Sequence, residues 1–249
     1  MATTAQTLPQ VKRPVGAYDR IFYSGLAVAM AAVVLIGFGP TYFLKLPGSD
    51  SMATISGRPF TPLVHLHGAI FTAWVLLFVV QTLLVARHRV AVHRRLGVAG
   101  GVLAALMVMV GVSAGIAAAA RGAAPPGISP LQFLAIPLGD MLMFTIFVTA
   151  ALYWRRDKEL HKRLMVLAYV SIMAAPVARM PGVMPLGPLG FFGLAFVFAL
   201  AGVAYDLVSR GRIHRAYLWG APLLAASVPL RLMISGTEAW KAFAQAITS

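Results

Sequence analysis

"LVHLHGAIFTAWVLLFVVQTLLVA", residues 63–86, carries no ionisable side chain except two histidines near its start. At 1.5 Å per residue, about 20 apolar residues in helical form cross roughly 30 Å of hydrocarbon. The apolarity is continuous, without the alternation of a barrel strand, so the stretch reads as a membrane helix. Comparable runs lie at 21–44, 98–120, 131–154, 164–180, 188–208 and 217–235. They are separated by "KLPGSDSMATISGRP", "RHRVAVHRRLG", "RGAAPPGISP", "RRDKELHKR", "PGVMPLGP" and "RGRIHRAY", all rich in charge or in Gly, Pro and Ser. The fold class is therefore all-α: a polytopic membrane bundle of seven transmembrane helices in one domain, 21–235. A tail at 1–20 precedes it and another at 236–249 follows.

Composition agrees. Hydrophobic residues make up 59% of the chain and charged residues 11%, against about a quarter charged in soluble domains. Residues 1–20 are polar and lack an apolar core, so they do not read as a cleavable signal, and the first span acts as its own insertion signal. With no cysteine, disulfides, thiolate metal sites and thiol redox chemistry are excluded. The chain has no nucleotide-binding loop, no H-E-x-x-H and no Ser/His/Asp signature. The seventh span, "LWGAPLLAASVPLRLMIS", has no lysine to carry retinal.

The net charge of +14 is a topology signal. Lys and Arg number 15 over the N-terminus and the second, fourth and sixth connections, and 4 over the other connections and the C-terminus. The positive-inside rule then places the N-terminus in the cytoplasm and the C-terminus in the periplasm. The cytoplasmic loops would contact anionic lipid headgroups. Split into short loops with few aromatics between them, these cations do not make a nucleic-acid footprint.

Two spans have unusual composition. The third holds Gly100, Gly101, Gly111, Ala114 and Gly115, which allow close helix approach and point to the buried centre of the bundle. The fifth is the shortest and contains Pro176, so a kink is expected near its outer end.

Ionisable residues inside spans are functional candidates by default. Asp140 lies about nine residues, hence roughly 13 Å, from the outer end of the fourth span. Arg179 and Arg231 are its candidate partners. His65 and His67 open the second span, so five ionisable groups on four spans share the outer half of the bilayer, with Tyr42, Trp74 and Gln81 counted nearby. Two readings stay open. In one, Asp140 and Arg179 form a buried pair that only fixes packing, with the histidines at the interface. In the other, His67, Asp140, Arg179, Arg231, His65 and Gln81 make a periplasm-facing polar pocket, and the excess of arginine favours an anionic ligand. Alternate positions on a helix point about 200° apart, so His65 and His67 do not share one pocket if both are helical; His67 is then the pocket residue.

The same histidines raise metal chemistry. His65 and His67 with Met180 and Met184 would suit copper(I). The inner connections echo one another in "VHRRLG" (92–97), "LHKRLM" (160–165) and "IHRAYL" (213–218). Together with His88, these supply His93, His161 and His214 as a cytoplasmic set for a metal or a haem iron. Flanking cations oppose that use, and a headgroup-level role is sufficient to account for the same residues.

The run from "HLHGAIFTAW" through Gln81 to "HRRLG" at 93–97, with "ELHKRLM" and "PVARMP" later, resembles a family of uncharacterised multi-pass bacterial inner-membrane proteins. In that family a His-Gly-Trp-Gln span precedes an HRxLG start. The resemblance covers the second, third and fifth spans and implies a bacterial inner-membrane setting without an activity. Function is thus expected to be binding or transport of a small ligand. A haem- or copper-binding redox protein and an accessory or assembly subunit with partner membrane subunits remain as alternatives.

Overall fold

The computed structural model describes residues 18–44, 60–125 and 127–249. The N-terminal tail as far as residue 17 and most of the first outer connection lie outside the described residues. The fold is an all-α polytopic bundle, with no strand among the described residues. Seven spans are long and apolar enough to cross a membrane: Asp19–Phe43, Pro62–Ala86, Val90–Ala120, Pro130–Tyr153, Lys158–Ala178, Met184–Arg210 and Arg215–Ser235.

The helices are α1 (Asp19–Phe38, extended by a wider turn over Gly39–Phe43), α2 (Pro62–Ala86) and α3 (Val90–Ala120). The fourth span is α4 (Pro130–Phe133) with α5 (Ala135–Tyr153). The fifth is α6 (Lys158–Val170) with α7 (Ala174–Ala178). Then come α8 (Gly187–Arg210), α9 (Arg215–Ser235) and α10 (Glu238–Thr248). Several starts are set by side-chain caps. Thr61 accepts from the Val64 N–H at 3.4 Å with Pro62 in the first turn of α2. Asp157 accepts from the Glu159 and Leu160 N–H groups at 3.1 and 3.0 Å to begin α6. The Leu160 N–H, with that of Glu159 and the Arg215 guanidinium, holds the Asp157 carboxyl below its ordinary range.

Three differences from the sequence reading have physical causes. First, α3 starts at Val90 rather than 98, so "HRRLG" is helical, and the 31-residue helix is about 46 Å long and overshoots the hydrocarbon. Second, the centre of the bundle is the fifth span and not the third. Of the most apolar stretch of each, 72% of Lys158–Ala178 is buried and 28% of Val90–Ala120. The helix breaks at 171–173, just before Pro176, whose missing N–H cannot continue the ladder. Third, the tail at 236–249 is largely α10, an amphipathic helix capped by Thr237. Its Trp240, Ala244 and Ile247 pack against Ile116, Ala119, Leu131, Leu134 and Leu138, and the Trp240 Nε1–H donates to the Leu131 carbonyl at 2.8 Å. Eleven residues are too few to span, and so did not register among the long apolar runs.

Around the central α6 lie α5, α8 and α9; α7 packs on α1 and α8, α2 joins α1 to α3, and α3 leans on α5. The α1–α7 crossing is very close: a Cβ on Gly37 would stand 2.1 Å from the Pro176 carbonyl oxygen. Small side chains at the helix surface are what permit such approach.

Candidate functional site

A cavity of about 650 Å³ runs from the outer end of the bundle towards its middle. It is walled by α1, α2, α3, α5, α6 and α7, by the segments at 41–43 and 123–125, by Ile128, and by residues between 184 and 191. The small residues of the third span serve both packing and cavity: Gly111, Ala114, Gly115 and Ala118 all line it, while Gly111 also admits Met141 of α5 and Phe71, and Gly115 admits Pro137. Phe71, Val75, Met141, Tyr169 and Phe191 line the deeper part. Most of the lining is apolar, as is usual of small-molecule sites, with a few polar groups placed in it.

His67 is one of those groups. The second helix begins at Pro62, so both histidines are helical and diverge. His67 stacks on Phe71, ring centroids 4.0 Å apart, and lines the cavity. Its Nδ1 is buried and has no hydrogen-bond partner among the described residues. His65 turns away to an exposed position, 3.1 Å from the Tyr42 hydroxyl, and does not line the cavity. The hydroxyls of Thr41 and Tyr169, both lining residues, are likewise buried without partners among the described residues. Buried polar atoms are rarely left unpaired, and where they cluster at a cavity they mark the places a ligand's polar atoms would engage.

The charges sort unequally. Asp140 lines the cavity but is paired with Arg231, not with Arg179. Arg231 is further held by the Ile136 carbonyl at 3.3 Å and by Ser227, whose carbonyl and hydroxyl accept at 3.1 and 2.9 Å. It stacks over the Phe192 ring at 5.1 Å. Helix α5 packs on α9 while α7 packs on α1 and α8, which decides between the two candidate partners. Gly139 is required here, because a Cβ would lie 2.7 Å from the Arg231 Nε. Arg179 is left over. Its Nη1 donates to the Ala175 carbonyl at 2.7 Å and its guanidinium lies 4.7 Å from the Phe38 ring centroid. No carboxylate pairs with it among the described residues, and it is close enough to act electrostatically on His67.

The remaining candidates do not join this site. Gln81 lies 14 residues beyond His67, about 21 Å along the helix, and so at the inner end. There its amide faces α3, and the amide orientation that satisfies its neighbours has the nitrogen donating to His93 Nδ1 at 2.8 Å and the oxygen accepting from the Gly97 N–H at 3.1 Å. Met184 lines the cavity and Met180 does not. With His65 and His67 also diverging, the four do not surround one ion. On the inner side, His93 and His161 come together with ring centroids 6.4 Å apart. The Nδ1–H of His161 donates to the Ala151 carbonyl at 2.8 Å. His88 instead accepts from Arg20, and His214 caps α9, with its ring held below its ordinary pKa by burial and by Arg163. No group of three His, Cys, Asp or Glu suited to a metal occurs among the described residues.

Sequence reasoning missed two features. One is Arg121, at the outer end of α3, which lines the cavity mouth and has no carboxylate partner among the described residues. Its signal was available: it is a lone cation in a connection on the face where cations are scarce. The other is an inner ion network. Arg163 and Asp206, both without solvent exposure, are paired, with Arg163 Nε donating to Asp206 Oδ2 at 2.8 Å. Glu159 accepts from Arg163 at 2.9 Å. Asp19 is paired with Lys162 and accepts from Arg210 at 2.7 Å and from the Tyr205 hydroxyl at 2.8 Å. Three carboxylates thus balance three cations and tie α1, α6 and α8 together. Asp206, a carboxylate inside the expected sixth span, was the overlooked clue.

Fold and cavity define a polytopic all-α membrane protein with a pocket built at one end of the bundle. No protein family, no curated protein and no solved structure matches the chain.

Proposed function

We propose that this is a bacterial inner-membrane protein that binds a small anionic ligand in a cavity open to the periplasm, with Arg179 as the principal anchor. One observation carries the reading: Arg179 brings a positive charge to a mostly apolar cavity whose only lining carboxylate among the described residues, Asp140, already belongs to Arg231. A guanidinium has five donors in a planar fork suited to carboxylate or phosphate. Arg179 spends one of them on the Ala175 carbonyl. His67 adds a nitrogen that can donate or accept, and Arg121 at the mouth draws anions in. The orientation rests on the basic connections, which lie at the end opposite the cavity.

The test is thermal unfolding of the protein in lipid nanodiscs, followed by tryptophan fluorescence, against a panel of carboxylates and phosphates. A bound anion at a hundredfold excess over its Kd stabilises by about 2.7 kcal/mol. Arg179→Gln is expected to abolish that stabilisation, while Arg212→Gln, in an exposed connection, keeps it. If anions of every class leave wild-type unfolding unchanged, the reading fails.

A further inference from the structure

We infer that the cavity takes a single-chain amphiphile with one anionic head, a long-chain carboxylate, its head on Arg179 and its chain along the glycine–alanine wall of α3 towards the middle of the membrane. This deepens the preceding proposal and rests on it.

Charge balance sets the head. The Asp140–Arg231 pair is neutral overall, which among the described residues leaves a single uncompensated charge, that of Arg179, in the interior of the cavity. One carboxylate cancels it with a bidentate pair. Arg121 sits at the mouth, where water screens it. The buried, unpartnered Nδ1 of His67 also lines the cavity and, in the tautomer that protonates it, can donate to a carboxylate oxygen.

The walls set the rest of the molecule. Below Arg179 the cavity is bounded mainly by Phe71, Val75, Gly111, Ala114, Met141 and Phe191; the polar groups there are the neutral Tyr169 hydroxyl and Asp140, which is paired with Arg231, and no further cation lines it among the described residues. A phosphate or a dicarboxylate small enough to be held by Arg179 would leave this space without a matching group. If it went deeper, its second charge would be buried unpaired. A hydrocarbon chain meets no such penalty. A volume near 650 Å³ is of the size that holds one small molecule and is too little for a two-chain phospholipid. On α3, Gly111, Ala114, Gly115 and Ala118 put nothing larger than a methyl group into the lining, so a linear chain can run along this face beside the Met141 and Phe71 side chains that cover Gly111.

The experiment is binding of tritiated palmitate to the nanodisc-embedded protein, with empty nanodiscs subtracted. Unlabelled palmitate, hexadecyltrimethylammonium, succinate and inorganic phosphate serve as competitors. Palmitate is expected to bind, unlabelled palmitate to displace it, and the cation with the same chain to leave it in place. Succinate and phosphate are expected to compete at least about a hundredfold more weakly. Arg179→Gln is expected to weaken palmitate binding by roughly tenfold to a hundredfold, the range for losing a hydrogen bond to a charged group. Ala114→Trp fills the wall and removes binding, and the milder Ala118→Leu weakens it if the tryptophan variant does not fold.

Displacement by hexadecyltrimethylammonium as effective as by palmitate would overturn the anionic head. Palmitate binding no greater than in empty nanodiscs, while succinate or phosphate still raises the unfolding temperature, would overturn the amphiphile and leave the anion-binding proposal standing. If no anion binds by either measurement, both fall together.

Discussion

Asp206→Asn is expected to destabilise the protein by about 3–5 kcal/mol, the range for stripping one partner from a buried ion pair. Arg163 and Asp206 have no solvent exposure at all, so neither water nor salt can stand in for the lost charge. Asparagine keeps the shape and one acceptor oxygen, but Arg163 would then rely on Glu159, which is half-buried and already shared with Lys162 and Arg210. The loss also reaches the start of α9, because Asp206 Oδ2 accepts the His214 N–H at 3.2 Å. A double replacement, Arg163→Met with Asp206→Leu, is expected to recover most of the stability, since removing both charges avoids leaving either one orphaned. Thermal unfolding of Arg163→Met, Asp206→Leu and the double variant, beside the wild type, measures the coupling directly. Single variants that melt within a degree of the wild type would show that the network is not holding the inner end closed.

Gly37→Ala is the second large effect, through a different mechanism. The added Cβ would stand 2.1 Å from the Pro176 carbonyl oxygen and 2.8 Å from its carbon, and both are backbone. No rotamer relieves the clash, so α1 and α7 must separate. Overpacking of this kind costs about 1–3 kcal/mol, and rigid atoms on both sides place it at the upper end. The separation also spreads the cavity, because Val34, Phe38, Pro176 and Arg179 line it. Ligand binding is therefore expected to fall together with stability. Gly25→Ala is the matched control. Its Cβ would meet nothing within 4 Å, and alanine in a helix interior is favoured over glycine by about 1 kcal/mol. It should be neutral or slightly stabilising. Equal behaviour of the two variants, in melting and in binding, would remove the close crossing from the account.

The bundle was legible because its signal is local and repeated. Continuous apolar runs and alternating basic connections need no knowledge of contacts. The divergence of His65 and His67 was legible too, since it follows from 100° per residue once the helix starts at Pro62. Long-range choices were not. Both Arg179 and Arg231 sat at a suitable depth for Asp140, and only the packing of α5 on α9 selects Arg231. Gln81 was placed with the outer group although its distance along the helix already put it at the inner end. The third span shows a subtler limit: Gly111 and Gly115 admit α5 side chains and, with Ala114, also line the cavity, and sequence does not separate the two uses. The inner network escaped because "RRDKELHKR" was read as a basic loop, whereas Asp157 caps a helix there and carries Arg163 into the bundle.

As proposed, the cavity is reached from the outer face, and among the described residues its interior unpaired charge is that of Arg179. The chain has no cysteine, so one introduced thiol reports without background. Ala114→Cys, on the α3 wall, can be challenged from outside intact spheroplasts with two membrane-impermeant methanethiosulfonates, one bearing a sulfonate and one a trimethylammonium group. The account predicts labelling from the outside and a sulfonate preference of at least about tenfold, or roughly 1.4 kcal/mol, after correction for reaction with a free thiol. It also predicts that Arg179→Gln erases that preference. A thiol that stays unlabelled, or one that reacts as fast with the cation as with the anion, would contradict it.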